Sequence, residues 1–105
     1  MATTKDFHDY VLDCLQQAGE INTRKMMGEY CVYCMGKVIG LICDNTLYLK
    51  VTPSSEKLLE NSDRGYPYEG SKTLMHIVDD FENIELMREV INVIYSELPD
   101  NKKKK

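Results

Sequence analysis

The stretch from Val38 to Val51 constrains the fold more than any other part of the chain. Val38–Cys43 is apolar at nearly every position, the pattern of a central strand covered on both faces. Asp44 and Asn45 follow, two residues that tolerate positive φ and so suit a two-residue hairpin turn. Thr46–Val51 then alternates: Leu47, Leu49 and Val51 share one face, and Thr46, Tyr48 and Lys50 share the other. With Asp44-Asn45 as the loop, Ile42 is expected opposite Leu47, Gly40 opposite Leu49 and Val38 opposite Val51. The apolar face so formed needs a helix over it. The reverse face carries Ile39, Leu41 and Tyr48 and needs a cover too.

The flanking segments extend this ribbon. Residues from about Arg24 to Cys34 read as one strand ending at a turn around Met35-Gly36-Lys37, which makes a three-stranded meander over residues 23–52. Residues 4–18 form a helix, with Phe7, Tyr10, Val11, Cys14, Leu15 and Ala18 on one apolar face. Thr3 or Thr4 caps it, and Gly19 stops it. Thr52-Pro53 opens a short helix that runs to about Asn61. Residues 62–73 are a polar connection, and Leu74–Val78 reads as a strand. Asp79 and Glu82 fit a capping box for a last helix, which ends at Leu98 before Pro99. Its apolar positions cover more than one stripe, so the helix is deeply buried or lends a stripe to a partner. The fold class is α+β: an antiparallel sheet of four to five strands with N-terminal, middle and C-terminal helices. Residues 1–99 make one domain, and 100–105 a flexible, Lys-rich tail.

Charge narrows the partners. The formal net charge of −4 includes the four lysines 102–105; without them nine basic residues face 17 acidic ones. Non-specific nucleic-acid affinity comes mostly from Lys and Arg neutralising phosphates, so this balance argues against direct DNA or RNA binding. No apolar run approaches the roughly 20 residues that span a bilayer, and the N-terminus has no secretory pattern. The expectation is a soluble cytoplasmic protein, with no membrane partner and with its four cysteines as free thiols.

Candidate chemistry is sparse. Cys31-x-x-Cys34 sits inside a strand pattern, where i and i+3 point to opposite faces and stand about 10 Å apart. That is too far for a disulfide, and no second ligand pair accompanies it for zinc. Cys14 and Cys43 read as small buried hydrophobes. His8, on the polar side of the first helix, and His76, in the late strand, have no neighbouring ligand or carboxylate pair at useful spacing. Helix capping accounts for Asp79, Asp80 and Glu82. Glycines 36, 40, 65 and 70 form no phosphate-cradling loop. These readings give no catalytic residue, no metal ligand and no cofactor. Met26 and Met27 beside Arg24 and Lys25 are different: flexible thioethers next to cations can form a binding surface.

Taken in order, three segments resemble a known family. Arg24-Lys25-Met26-Met27-Gly28-Glu29-Tyr30-Cys31-Val32-Tyr33 is similar to the opening of the N-terminal domain of the TfoX/Sxy proteins. Asp44-Asn45-Thr46-Leu47-Tyr48-Leu49-Lys50-Val51 resembles its second hairpin and following strand, and Tyr66-Pro67-Tyr68-Glu69-Gly70 its later Pro-aromatic segment. The resemblance spans about residues 5–98. It implies the order α-β-β-β-α-β-β-α, with a short extra strand near Tyr66–Tyr68, and an association with transcriptional control of competence. It supplies no catalytic residues. Full-length members carry a second, helical domain, and this sequence ends after the first.

The leading expectation is therefore a non-enzymatic protein-interaction module, with an unidentified protein partner met by Arg24, Lys25, Met26, Met27, Tyr48 and Lys50. A rival reading is a small-molecule-binding domain or enzyme with a site near Tyr66, Tyr68 and His76. A third is nucleic-acid binding through Arg24, Lys25 and the lysine tail. The sheet edges and the last helix leave room for a homodimer.

Overall fold

The computed structural model describes residues 3–26, 29–68 and 70–98; Met27 and the Lys-rich tail lie outside the described residues. Thr4 caps the first helix, its hydroxyl accepting from the Phe7 amide, and α1 runs Lys5–Gln16. Four strands follow: β1 (Ile21–Met26), β2 (Glu29–Cys34), β3 (Lys37–Cys43) and β4 (Thr46–Lys50). Thr52 caps α2 (Pro53–Leu58), with Pro at the first turn as expected, and Ser55 closes the capping box. β5 (Arg64–Gly65), β6 (Met75–Val78) and α3 (Ile84–Glu97) complete the chain. All strand pairs are antiparallel, in the order β1-β2-β3-β4-β6-β5.

The fold is α+β with the three expected helices, and its sheet has six strands. The extra strand arises where one strand was expected over Arg24–Cys34. The chain instead reverses between Met26 and Glu29, and the two arms pair from Ile21↔Cys34 to Met26↔Glu29. β1 is an edge strand with a single buried residue, Ile21. Its polar, charged sequence suits an edge that must not recruit other chains, and for the same reason it carries little apolar periodicity to mark it. The extra strand that the family resemblance implied appears at Arg64–Gly65, just before Tyr66.

The β3–β4 hairpin follows the sequence closely. Asp44 and Asn45 have φ of 51° and 54°, and Ile42↔Leu47 and Gly40↔Leu49 are paired. β3 departs from strict alternation at one point. Val32 faces Gly40 but Tyr33 faces Val38, which leaves Ile39 as an extra residue in a bulge. The bulge turns Ile39 away from the reverse face and into the main core, where it is fully buried. Gly40 beside it is required by space: a Cβ there would lie 2.2 Å from the Tyr48 carbonyl oxygen.

The core lies between one sheet face and the helices. Val11 and Leu15 of α1, and Met87, Val90, Ile91 and Ile94 of α3, pack on Val32, Ile42, Leu47, Leu49 and Val78. The last helix begins at Ile84, not after Asp79 or Asp80, because Asn83 is its cap and accepts from the Leu86 amide. Residues 79–82 form the approach to it, held by the Phe81 ring edge-on to Phe7 and Tyr10 at 6.0 and 5.8 Å. At its other end Lys37 donates to the carbonyls of Tyr95 and Leu98 at 2.9 and 3.0 Å and lies over the Tyr95 ring. A cation at a helix C-terminus complements the dipole.

Both histidines tie elements together. His8 is buried, contrary to its expected place on the polar side of α1. Its Nε2 is 2.8 Å from the Thr23 hydroxyl of β1, its Nδ1 is 2.9 Å from Asp9, and its ring stacks on Tyr30 at 3.8 Å. His76 is fully buried, as is Ser55. The Ser55 hydroxyl accepts from the Thr52 amide at 2.8 Å and donates to the Thr52 carbonyl at 3.1 Å. The 2.9 Å contact to His76 Nε2 is then an N–H donated by the imidazole. Among the described residues Nδ1 has no partner, which a neutral ring tolerates as an unshared lone pair. Burial, and then Arg64, lowers the His76 pKa, while Glu56 opposes them.

Two expectations follow from the core. Gly40→Ala pushes a methyl group into the β4 backbone and lowers stability by about 1–3 kcal/mol, read as a lower urea midpoint; an unchanged midpoint contradicts the close approach. His76 titrates below the unfolded value of about 6.5, so in that range the unfolded chain binds more protons and stability rises with pH. From about pH 6.5 downward the melting temperature falls, with a slope of at most about 1.4 kcal/mol per pH unit from this group. His76→Gln flattens that slope; equal slopes in the two proteins refute the assignment.

Candidate functional site

The helices cover one sheet face only, and the register fixes what the other face presents. One cross-strand row runs Arg24, Cys31, Leu41, Tyr48, Ile77 from β1 to β6. A neighbouring row holds Met26 and Glu29, and on the other side Lys50 pairs with Met75. Strands are about 4.8 Å apart, so Arg24 and Tyr48 stand roughly 14 Å from each other on the same surface.

The connection after β5 lies over this open face. Pro67 is buried against it, and Tyr68, 59% exposed, stands beside two clefts. The larger, about 250 Å³, is lined by Met26, Glu29, Tyr30, Leu41, Cys43 and Tyr68. The smaller, about 160 Å³, shares Leu41 and Tyr68 and adds Lys50, Pro67 and Met75 among its walls. The result is an apolar groove with Lys50 of β4 in its wall, and Arg24 of β1 stands on the same face opposite Cys31. Met26 is 46% exposed at its rim.

Of the expected contact residues, Arg24, Met26, Tyr48 and Lys50 come together on this face. Lys25 is on the opposite face, paired with Tyr30, and Met27 lies outside the described residues. The rival trio separates. Tyr68 is on the open face and Tyr66 is exposed, whereas His76 points from β6 to the covered side, where it meets Ser55. The reverse-face cover that the sequence demanded is supplied by Pro67 and Tyr68.

The cysteines divide as the strand geometry requires. Cys34 belongs to the core under the helices, while the Cys31 thiol donates to Met26 Sδ on the open face at 3.8 Å. All four thiols are buried and free. Burial pushes Cys43 up to about 11, with Glu29, Cys31 and Asp44 adding to it. The Tyr48 phenol is raised by burial and then by Cys43 and Asp44.

Two hydrogen-bonded chains imitate catalytic arrangements. Thr23, His8 and Asp9 are linked in the order hydroxyl, Nε2, Nδ1, carboxylate, and Ser55 meets His76 Nε2. A nucleophile must reach substrate. Ser55 and His76 are completely enclosed, and the His8 ring is covered by Tyr30. Both are clips between a helix and a strand. Sequence alone could not show them, because their members meet only through the fold.

Comparison with known proteins agrees with the architecture. A family model, the TfoX N-terminal domain, matches residues 13–98. A relative from Spirochaeta aurantia, described as an uncharacterized 12.7 kDa protein in the trpE 5′ region, is 31% identical over all of this chain and 91% of its own length. With that match running from α1 to the end of α3, the chain belongs to the TfoX N-terminal domain family.

Proposed function

We propose that this domain is a non-catalytic protein-binding module that receives its partner on the open sheet face. The observation that carries the reading is the groove beneath Tyr68: two adjoining clefts of about 250 and 160 Å³, with exposed Met26 and Tyr68 at the rim and the cations Arg24 and Lys50 on the same face. Amphipathic aromatics and methionines are the side chains that anchor protein interfaces. The two cations stand out on a body that is otherwise strongly acidic, so they select a partner with an apolar centre and an acidic rim. Membership of the TfoX family favours a partner in transcriptional control, with competence regulation as the specific role.

The reading is tested by placing a photo-crosslinking residue at Tyr68 in the full chain and irradiating producing cells. A discrete adduct is expected, at least about tenfold weaker in Arg24→Glu and in Met26→Asp. Both positions lie on β1 outside the core, so the melting temperature should hold. No adduct, or adducts unaffected by both substitutions, overturns the surface. Mass spectrometry of the adduct then states whether the partner belongs to the transcription machinery.

A further inference from the structure

Soft sulfur gathers at the larger cleft. Met26 Sδ lies 3.8 Å from Cys31 Sγ. Cys31 is paired with Leu41, and Cys43 is two residues further along the same strand, so the two cysteines are diagonal neighbours on one face. Such neighbours stand about 7–8 Å apart, with Cβ atoms somewhat closer. Cys43 lines the cleft together with Met26. A disulfide needs Cα atoms within about 7 Å, so this diagonal disfavours one. A metal ion bridges a wider gap, because two metal–sulfur bonds of about 2.3 Å span up to roughly 4.6 Å between sulfurs.

We propose that Cys31, Cys43 and Met26 form a three-coordinate site for a soft monovalent metal ion, Cu(I), on the open face, where Met26 and Cys43 line the cleft and Cys31 lies behind Met26. Thiolates and thioethers select Cu(I) over harder ions. Among the described residues no group of three His, Cys, Asp or Glu side chains is placed to hold a metal, so the set lacks what zinc or calcium prefers. Among the described residues the one carboxylate lining the cleft, Glu29, is turned to the Thr3 hydroxyl and the Asp44 amide.

Binding changes the charge of the site. Two Cu–S(Cys) bonds form as two thiol protons leave to solvent, and Met26 adds a neutral donor. One cation and two thiolates leave a net charge of −1, and Arg24 stands directly opposite Cys31 on the same face to offset it. The groups around Cys43 are Glu29 from β2, its neighbour Asp44, Tyr48 from β4 and Cys31 itself. Of these only Glu29 and Asp44 are carboxylates, and binding at the two cysteines exchanges thiol protons for metal. Exposed Met26 gives entry, and the enclosed cysteines, 7% and 3% exposed, exclude water. The site is independent of the proposed partner: copper retention needs no second protein.

The test is an anaerobic titration of the reduced full chain with Cu(I) against a chromophoric Cu(I) chelator. One equivalent is expected to stay on the protein. Cys31→Ser and Cys43→Ser each weaken retention by about a hundredfold and Met26→Leu by about tenfold, while Cys14→Ser and Cys34→Ser leave it unchanged. After correction for chelator protonation, affinity rises up to about a hundredfold per pH unit near neutrality, tenfold for each displaced proton. X-ray absorption on the copper-loaded wild-type chain is expected to show sulfur donors only, a readout that stands even where a cysteine variant does not fold. Complete loss of copper to the chelator, retention in the Cys31→Ser/Cys43→Ser double variant, or nitrogen and oxygen donors in the absorption spectrum each overturn the site.

Discussion

Backbone crowding at the centre of the sheet governs the rest of this structure. β3 pairs with β2 on one side and β4 on the other, and at Gly40 the two ribbons come so close that no side chain fits beneath the Tyr48 carbonyl. The bulge at Ile39 accompanies that approach. It turns one large aliphatic side chain to the helix side and leaves Leu41 and Cys43 in phase with the opposite side. A regular strand would place Ile39 beneath the loop that carries Pro67 and Tyr68. The bulge thus assigns bulk to the helical core and leaves the other face shallow enough to hold clefts. Bulges near functional surfaces commonly re-aim side chains in this way.

Much of the architecture is legible from local chemistry. The Asp44-Asn45 turn, the pairing of Ile42 with Leu47, the Thr52-Pro53 start and the Thr4 cap each depend on a few adjacent residues. Their signals reflect backbone preference and not distant packing. The start of α3 was less legible: the sequence places it after Asp79 or Asp80, whereas Asn83 is the cap. Phe81, between them, packs on Phe7 and Tyr10, a contact between residues more than seventy positions apart.

The candidate site was legible only in part, and parity explains the loss. Read as one continuous strand, residues 24–34 put Arg24 and Cys31 on opposite faces, since seven is odd. The reversal between Met26 and Glu29 makes them direct partners on the same face. A reversal of the chain changes which side chains can meet, although it hardly changes the content of strand. Met26 next to Cys31 and Arg24 at the head of the row that runs on to Ile77 depend on that reversal. Arg24, Met26, Tyr48 and Lys50 could be singled out from residue type alone, whereas their company could not.

The two faces of the sheet differ in what holds them, and that difference bears on function. The covered face is closed by two long helices and clipped from within by His8–Thr23 and Ser55–His76. The open face is covered by a loop whose backbone makes few ties to the sheet: Ser71 bonds back to Tyr68 and Thr73 within the loop itself. A cover held mainly by Pro67 and one exposed tyrosine opens at lower cost than a helix does, since local opening follows the count of buried apolar contacts. The same face contains the Cys31 and Cys43 thiols and the cross-strand row that begins at Arg24. Entry and exit at the open-face clefts therefore pass through the cover that the fold leaves least secured.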